Sequence, residues 1–84
     1  MFNVKFSVSK PIGDGYKETI CRIFRMYEYK NRQHEEGVVK AIALWNDEQD
    51  EYDLEIGKRE ALIKAYYGLP KSAQTEFDEW LENL

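Results

Sequence analysis

The sequence predicts an α+β fold, a three-stranded antiparallel sheet followed by two helices packed on one face. Three observations predict it. Residues 2–9 alternate between apolar and polar, two β-like runs follow near 17–30 and 37–45, and two helical segments near 53–67 and 71–82 carry start and stop signals. The chain has 84 residues and contains no linker, internal repeat or low-complexity segment, so residues 1–84 are expected to form a single domain.

The first strand has the clearest pattern in the chain. Its apolar side chains occupy every second position, at Phe2, Val4, Phe6 and Val8. This period of two is typical of a strand with one buried face. The strand ends before Pro11, because proline cannot donate a hydrogen bond to a sheet.

Residues 16–30 fit two interpretations. Their apolar positions match helical spacing, yet the segment is rich in residues that favour strands. We favour a strand because residues 31–37 read as a polar turn and residues 38–45 as a second β-like run, which together make a hairpin. Two apolar faces in this strand imply a central position or a bulge. In the third strand, one face is expected to hold Val39, Ala41, Ala43 and Trp45.

The first helix is the element around which the fold is expected to form. Asp53 is placed to cap it, since its carboxylate can accept hydrogen bonds from the free N–H groups of the first turn. Gly57, Ala61 and Ala65 recur every four residues and form a smooth stripe that permits close approach to a sheet. Larger apolar residues flank this stripe on both sides, at Leu62, Tyr66, Ile56, Ile63 and Tyr67. We therefore expect this helix to be covered by two partners.

The second helix follows after a short junction. Gly68 is expected to cap the first helix, and Pro70 to start the second. The apolar stripe of the second helix is expected to pack on the body of the domain and consists of Ala73, Phe77, Trp80, Leu81 and Leu84. Its acidic side chains are expected to face water.

The segment around the first helix has the pattern Asp50-x-Tyr52, four residues, Gly57-Lys58, two residues, Ala61, two residues, Lys64-Ala65, preceded by a strand-like run at 38–43. This pattern resembles a recurring segment in small bacteriophage-encoded proteins of mostly unassigned function. The family pattern has Asn-Pro shortly before the Asp, whereas residues 46–49 here lack the proline and are one residue longer. The resemblance covers about a third of the chain and implies a phage-encoded accessory protein in the host cytoplasm.

Composition limits the classes of protein to which the chain can belong. The single cysteine, Cys21, excludes an internal disulfide and is expected to be a buried apolar residue in a reducing cytosol. No run of about 18 uncharged apolar residues is present, so we expect a cytoplasmic protein with no membrane partner. The net charge is −4, but residues 1–45 carry +3 and residues 46–84 carry −7.

No catalytic, metal or cofactor site is predicted. His34 is the only histidine and has no second histidine or cysteine at metal-ligand spacing. Gly13 and Gly15 lack the rest of a phosphate-binding motif. No nucleophile lies in a recognisable catalytic phrase, so we do not expect an enzyme.

Two binding hypotheses remain. In the first, an acidic surface imitates nucleic acid and occupies the basic groove of a host protein, which it inhibits or redirects. The residues of this surface are Asp47, Glu48, Asp50, Glu51, Asp53, Glu76, Asp78, Glu79 and Glu82.

In the alternative, the sheet binds RNA or single-stranded DNA through phosphate contacts and base stacking. The residues of that site are Arg22, Arg25, Tyr27, Tyr29, Lys30, Arg32 and Lys40. A third interpretation assigns the aromatic residues to the core or to a homodimer surface and treats the charges as merely solvated.

Overall fold

The structure, a computed structural model, describes residues 1–9, 16–46 and 53–84 and confirms the α+β class. The sheet is antiparallel with strand order β1-β2-β3, and two helices follow it. The elements are β1 Phe2–Ser9, β2 Tyr16–Tyr29, β3 Arg32–Asn46, α1 Leu54–Gly68 and α2 Lys71–Glu82. None of the helices in these ranges is long and apolar enough to cross a membrane.

The strand interpretation of residues 16–30 is confirmed, and β2 is the central strand, with a bulge in its pairing to β3 between Ile23 and Phe24. The predicted polar turn at 31–37 is wrong, because β3 already begins at Arg32, which pairs with Tyr29. The turn consists of Lys30 and Asn31 alone, with φ angles of 51° and 61°. Two left-handed residues are typical of the tight type I′ hairpin turn. Polar residues fit the strand that follows because the helices do not cover this end of the hairpin.

The helices cover one face of the sheet, which we call the inner face. The register places Val4, Ile23 and Val39 side by side on it, and Ile23 is fully buried. Cover is incomplete over β1, where Phe2 is buried but Phe6 and Val8 are 36% and 46% exposed. The alternation in β1 therefore predicted its inner residues correctly but not the extent of their burial.

The small-residue stripe of α1 lies against the inner face as predicted, since Gly57, Ala61 and Ala65 are buried. At Gly57 the helix lies closest to β2, because a Cβ atom on Gly57 would collide with the Thr19 side chain. Ala43 is buried and Ala41 half-buried on β3. The Trp45 side chain lies outside the described residues.

The ends of α1 are fixed by hydrogen bonds. The Asp53 cap is confirmed, since its Oδ1 accepts from the backbone N–H of Glu55 at 2.9 Å and of Ile56 at 3.4 Å. The predicted cap at Gly68 is wrong, because the helix includes Gly68 and is capped by Leu69. Gly68 instead allows close approach to β3, as a Cβ there would lie 2.9 Å from Cγ2 of Val39.

Two polar contacts and an aromatic cluster hold α2. Gln74 Nε2 donates to the carbonyl oxygens of Tyr66 and Leu69, each at 3.1 Å, and so fixes the junction after α1. Phe77 is 1% exposed, and its ring centroid lies 5.3 Å from that of Phe2. Pro70 is the N-cap and not the first helical residue.

Part of the predicted apolar stripe of α2 is not buried. Ala73 and Phe77 are buried and Trp80 is half-buried, but Leu81 and Leu84 are 45% and 82% exposed. Helical spacing predicts which side of α2 a residue lies on, but a residue on that side is buried only where another element packs against it. Leu81 instead lines an open groove, and Leu84 lies beyond the end of α2.

Candidate protein-binding surface

The solvent-facing side of α2 carries four exposed carboxylates. These residues, which we call the acidic face, are Glu76, Asp78, Glu79 and Glu82. Lys71, at the first position of the helix, is the only cation in α2. The acidic face is therefore a concentrated region of negative charge on one short element.

Two of the four carboxylates also stabilise the fold. Glu76 Oε2 pairs with the Arg25 guanidinium at 2.9 Å, and Asp78 Oδ2 accepts from the Tyr66 hydroxyl at 2.9 Å. The hydrogen bond to Asp78 raises the pKa of Tyr66. The carboxylates of Glu79 and Glu82 form no hydrogen bond or ion pair with other described residues, so their charge is available to a partner.

The predicted acidic surface does not come together as one patch. Asp53 caps the start of α1, and the 15 residues of α1 separate it from the junction with α2 by roughly 22 Å. The remaining predicted acids, Asp47, Glu48, Asp50 and Glu51, lie outside the described residues. Apart from Asp53, the described part of the predicted surface is thus the acidic face of α2.

An apolar groove runs beside the acidic face, between α1 and α2. Its volume is about 290 Å³, and we call it the helix groove. Its lining residues are Leu62, Ile63, Tyr66, Tyr67, Phe77 and Leu81. Ile63 is 49% exposed and Tyr67 is 74% exposed, so the wall formed by α1 is open to solvent.

The sequence predicted two partners for α1, and among the described residues these are the sheet and, on the Tyr66 side, α2. The sheet covers the small-residue stripe, whereas the side bearing Ile56, Ile63 and Tyr67 remains exposed. Exposed apolar surface of this kind is typical of interaction sites. Sequence reasoning identified the apolar side but could not show that no other described element covers it.

The residues of the nucleic-acid alternative lie on different faces of the sheet. Arg22 and Lys40 are register partners that line one notch with Phe24 on the outer face, opposite the helices. Arg25 lies on the inner face, where it pairs with Glu76. Alternation along β2 places Tyr27 and Tyr29 on the same side as Arg25. The predicted cations and aromatics therefore do not form one surface.

The tip of the hairpin forms its own cluster. The Tyr27 ring stacks on His34 with centroids 5.4 Å apart, and the Lys30 ammonium lies 5.4 Å from the centroid of the Tyr29 ring. Arg32 is exposed beside them. One face of the Tyr27 ring is therefore occupied within the chain, which reduces the surface on which a base could stack.

A row of cations that the sequence did not predict crosses the outer face. The register aligns Lys5, Arg22 and Lys40 on neighbouring strands. Lys5 is partly neutralised by Glu35, whose Oε2 lies 2.9 Å from its ammonium. Hydrogen bonds from Asn3 and then Lys5 lower the pKa of Glu35. Only the strand register could have revealed this row, because its members are 17 or 18 residues apart in sequence.

Neither a metal cluster nor an accessible thiol is found among the described side chains. Within residues 1–9, 16–46 and 53–84, no group of three or more His, Cys, Asp or Glu residues could hold a metal ion. Cys21 is fully buried, and burial raises the pKa of its thiol to about 11. A neutral, inaccessible thiol is a poor nucleophile.

Comparison of the chain with protein-family models, with curated proteins and with solved structures gave no match.

Proposed function

We propose that this protein is a non-enzymatic binding protein that captures a basic protein partner through the acidic face of α2. The observation that carries the proposal is the charge of α2, in which four carboxylates accompany one lysine. Complementary charge accelerates encounter with a partner and selects against partners of the wrong sign. The resemblance to phage-encoded proteins leads us to propose a host protein in the cytoplasm as the partner, which is inhibited or redirected.

The apolar groove beside the charge supports a protein partner over a simple counterion. Charge on a protein rim mainly affects association rate, whereas apolar contacts contribute most of the affinity. The carboxylates of Glu79 and Glu82 have no partner among the described residues, and Leu81, which precedes Glu82 in sequence, belongs to the groove. The acidic face corresponds to the polar rim of a protein interface, and the helix groove corresponds to its apolar centre.

The test is capture of partners by an immobilised double variant, Glu79→Gln with Glu82→Gln. The matched control changes two exposed glutamates of α1, Glu55→Gln with Glu60→Gln, so that net charge falls equally. We expect the α2 variant to lose a specific partner that the wild type and the α1 variant retain. Wild-type binding should weaken steeply as salt rises from about 0.05 to 0.3 M, because screening shortens the range of the charge interaction. Equal capture by both variants would contradict the proposal.

The predicted acids outside the described residues need a separate variant. Changing Asp47, Glu48, Asp50 and Glu51 to Asn or Gln tests the other half of the predicted acidic surface. If this variant loses the partner and the α2 variant does not, the binding surface is the 47–51 segment and the assignment to α2 is wrong.

Nucleic-acid binding is the second candidate, favoured by the exposed Tyr29, Lys30 and Arg32 at the hairpin tip. A gel shift with labelled single-stranded RNA and DNA tests it. Lys30→Ala with Arg32→Ala should abolish binding if phosphate contacts are made there, whereas Glu79→Gln with Glu82→Gln should leave it unchanged or stronger. No shift with the wild type at moderate salt would exclude this candidate.

A further inference from the structure

We infer that the helix groove receives an amphipathic helix of the partner protein, with apolar side chains in the groove and Lys or Arg side chains beside the acidic face. This inference rests on the proposed function and identifies the part of the partner that is bound. Four observations carry it.

The first is the shape and chemistry of the groove. Its floor is Phe77, which is 1% exposed, and its walls are apolar side chains of α1 and α2. Ile63 and Tyr67 are one turn apart on α1, as are Phe77 and Leu81 on α2. Side chains spaced in this way form the ridges and grooves into which another helix packs.

The second observation concerns the backbone. Both walls are helices, whose backbone N–H and C=O groups are satisfied internally except at the ends. An extended peptide in this groove would find no sheet edge with which to pair. A helix satisfies its own backbone and presents apolar residues at i, i+3, i+4 and i+7 to a groove. The partner segment is therefore helical.

The third observation is the charge along one wall. Glu82 adjoins Leu81 in sequence, Asp78 lies three residues before Leu81 on the same helix, and Asp78 is bonded to Tyr66 of the other wall. A partner helix with Lys or Arg beside its apolar face complements these carboxylates. A second copy of this chain would instead bring two acidic faces together across a twofold axis, where like charges repel.

The fourth observation is that the walls are held in place. The Tyr66 hydroxyl donates to Asp78 at 2.9 Å across the groove, and Gln74 bonds two carbonyls at the junction of the helices. A groove whose walls are already fixed loses less conformational freedom when it binds.

The probe is a synthetic peptide of about 18 residues, or five helical turns, with leucines at i, i+3, i+4 and i+7 spacing and lysines elsewhere. A scrambled peptide of the same composition lacks the apolar face. Affinity is measured by fluorescence anisotropy for the wild type and for Ile63→Gln and Leu81→Gln, both in the groove. Leu44→Gln is the matched control, because Leu44 is 60% exposed and lies on the outer face of the sheet.

We expect each groove variant to bind the amphipathic peptide about tenfold more weakly than the wild type, since apolar contact area is lost. Leu44→Gln should bind as the wild type does, and the scrambled peptide should bind much more weakly to all of them. Circular dichroism checks that the variants are folded. Equal affinity of the wild type for the two peptides, or equal affinity of all variants for the amphipathic one, would overturn the inference.

The double variant Glu79→Gln with Glu82→Gln separates this inference from the proposed function. If it weakens peptide binding while the groove variants do not, charge capture stands and the helical docking mode is wrong. If the groove variants weaken binding and the charge variant does not, the groove binds a helix without electrostatic selection. The proposal that the partner is basic is then wrong. Sedimentation of a wild-type dimer that Leu81→Gln dissociates would assign the groove to a second copy and overturn the inference.

Discussion

At the scale of single residues, the close contact between α1 and the sheet depends on the small size of Gly57, Ala61 and Ala65. Ala61 is fully buried, whereas its neighbour Glu60 is exposed. Ala61→Leu should therefore lower the free energy of unfolding by about 1 to 3 kcal/mol, because three extra carbons overpack a close contact. Glu60→Leu should change it by less than about 0.5 kcal/mol. Urea denaturation of the two variants measures the difference, and equal midpoints would refute the close contact.

Cys21 provides a residue-scale prediction about pH. Burial raises the pKa of its thiol to about 11, from an ordinary value near 9. Above pH 9 the unfolded chain loses this proton while the folded chain keeps it, so stability should fall as pH rises from about 9 towards 11. Cys21→Ser is unsuitable as a control because it would bury a hydroxyl, so Cys21→Ala is used.

The measurement is thermal unfolding of wild type and Cys21→Ala at a series of alkaline pH values. The wild type should lose more stability than the alanine variant over this range. Thiol-reactive dye at pH 8 should label the folded wild type slowly and the unfolded chain rapidly. Rapid labelling of the folded protein would show that Cys21 is accessible.

At the scale of elements, the hairpin extends past the end of β1. The last backbone hydrogen bond from the N-terminal strand region to β2 is from the Met26 N–H to the Met1 carbonyl at 2.9 Å. Beyond it, only two strands remain among the described residues, and neither described helix covers a face of them. Two-stranded ribbons are marginally stable, so the turn should influence the order of this region strongly.

The hairpin turn can be stabilised by substitution of its two residues, Lys30 and Asn31. Lys30 adopts a left-handed φ of 51°, which costs about 1 kcal/mol for a residue with a side chain. The double substitution Lys30→Asn with Asn31→Gly creates the Asn-Gly sequence preferred in type I′ turns. We expect slower amide hydrogen exchange at Tyr27 and His34, which flank the turn. Unchanged or faster exchange would contradict the turn assignment. Amides of α1 serve as the internal control.

At the scale of the whole molecule, α2 joins the end of the sheet through one aromatic cluster. The Phe77 ring contacts both Phe2 and Trp80, with ring centroids 5.3 and 5.4 Å away. A domain of 84 residues has a stability of about 4 to 13 kcal/mol at ordinary values per residue. Losing this ring therefore removes a large share of the total.

Phe77→Ala should cost about 3 to 5 kcal/mol and leave much of the population unfolded at moderate temperature. Phe6→Ala is the matched control, since Phe6 is 36% exposed and should cost considerably less. Thermal unfolding by circular dichroism compares the two. A similar loss in both variants would show that the cluster around Phe77 is not the centre of the core.

Much of the fold follows from local patterns in the sequence. The alternation in β1, the Asp53 cap and the small-residue stripe of α1 each depend on residues a few positions apart, and the structure has all three. The charge of α2 was likewise evident, since helical spacing separates its acids from Ala73 and Phe77. Such features are determined locally because hydrogen-bond caps and helical or strand periodicity act over short stretches of chain.

Other features depend on how distant elements are placed. The sequence did not indicate that Thr19 lies beneath Gly57, that Lys5 and Lys40 flank Arg22, or that two residues suffice for the hairpin turn. It predicted an apolar side on α1, but only the tertiary structure showed that this side forms an open groove with α2. The physical reason is that side-chain period fixes which residues share a face, whereas strand register and helix packing decide what each face meets.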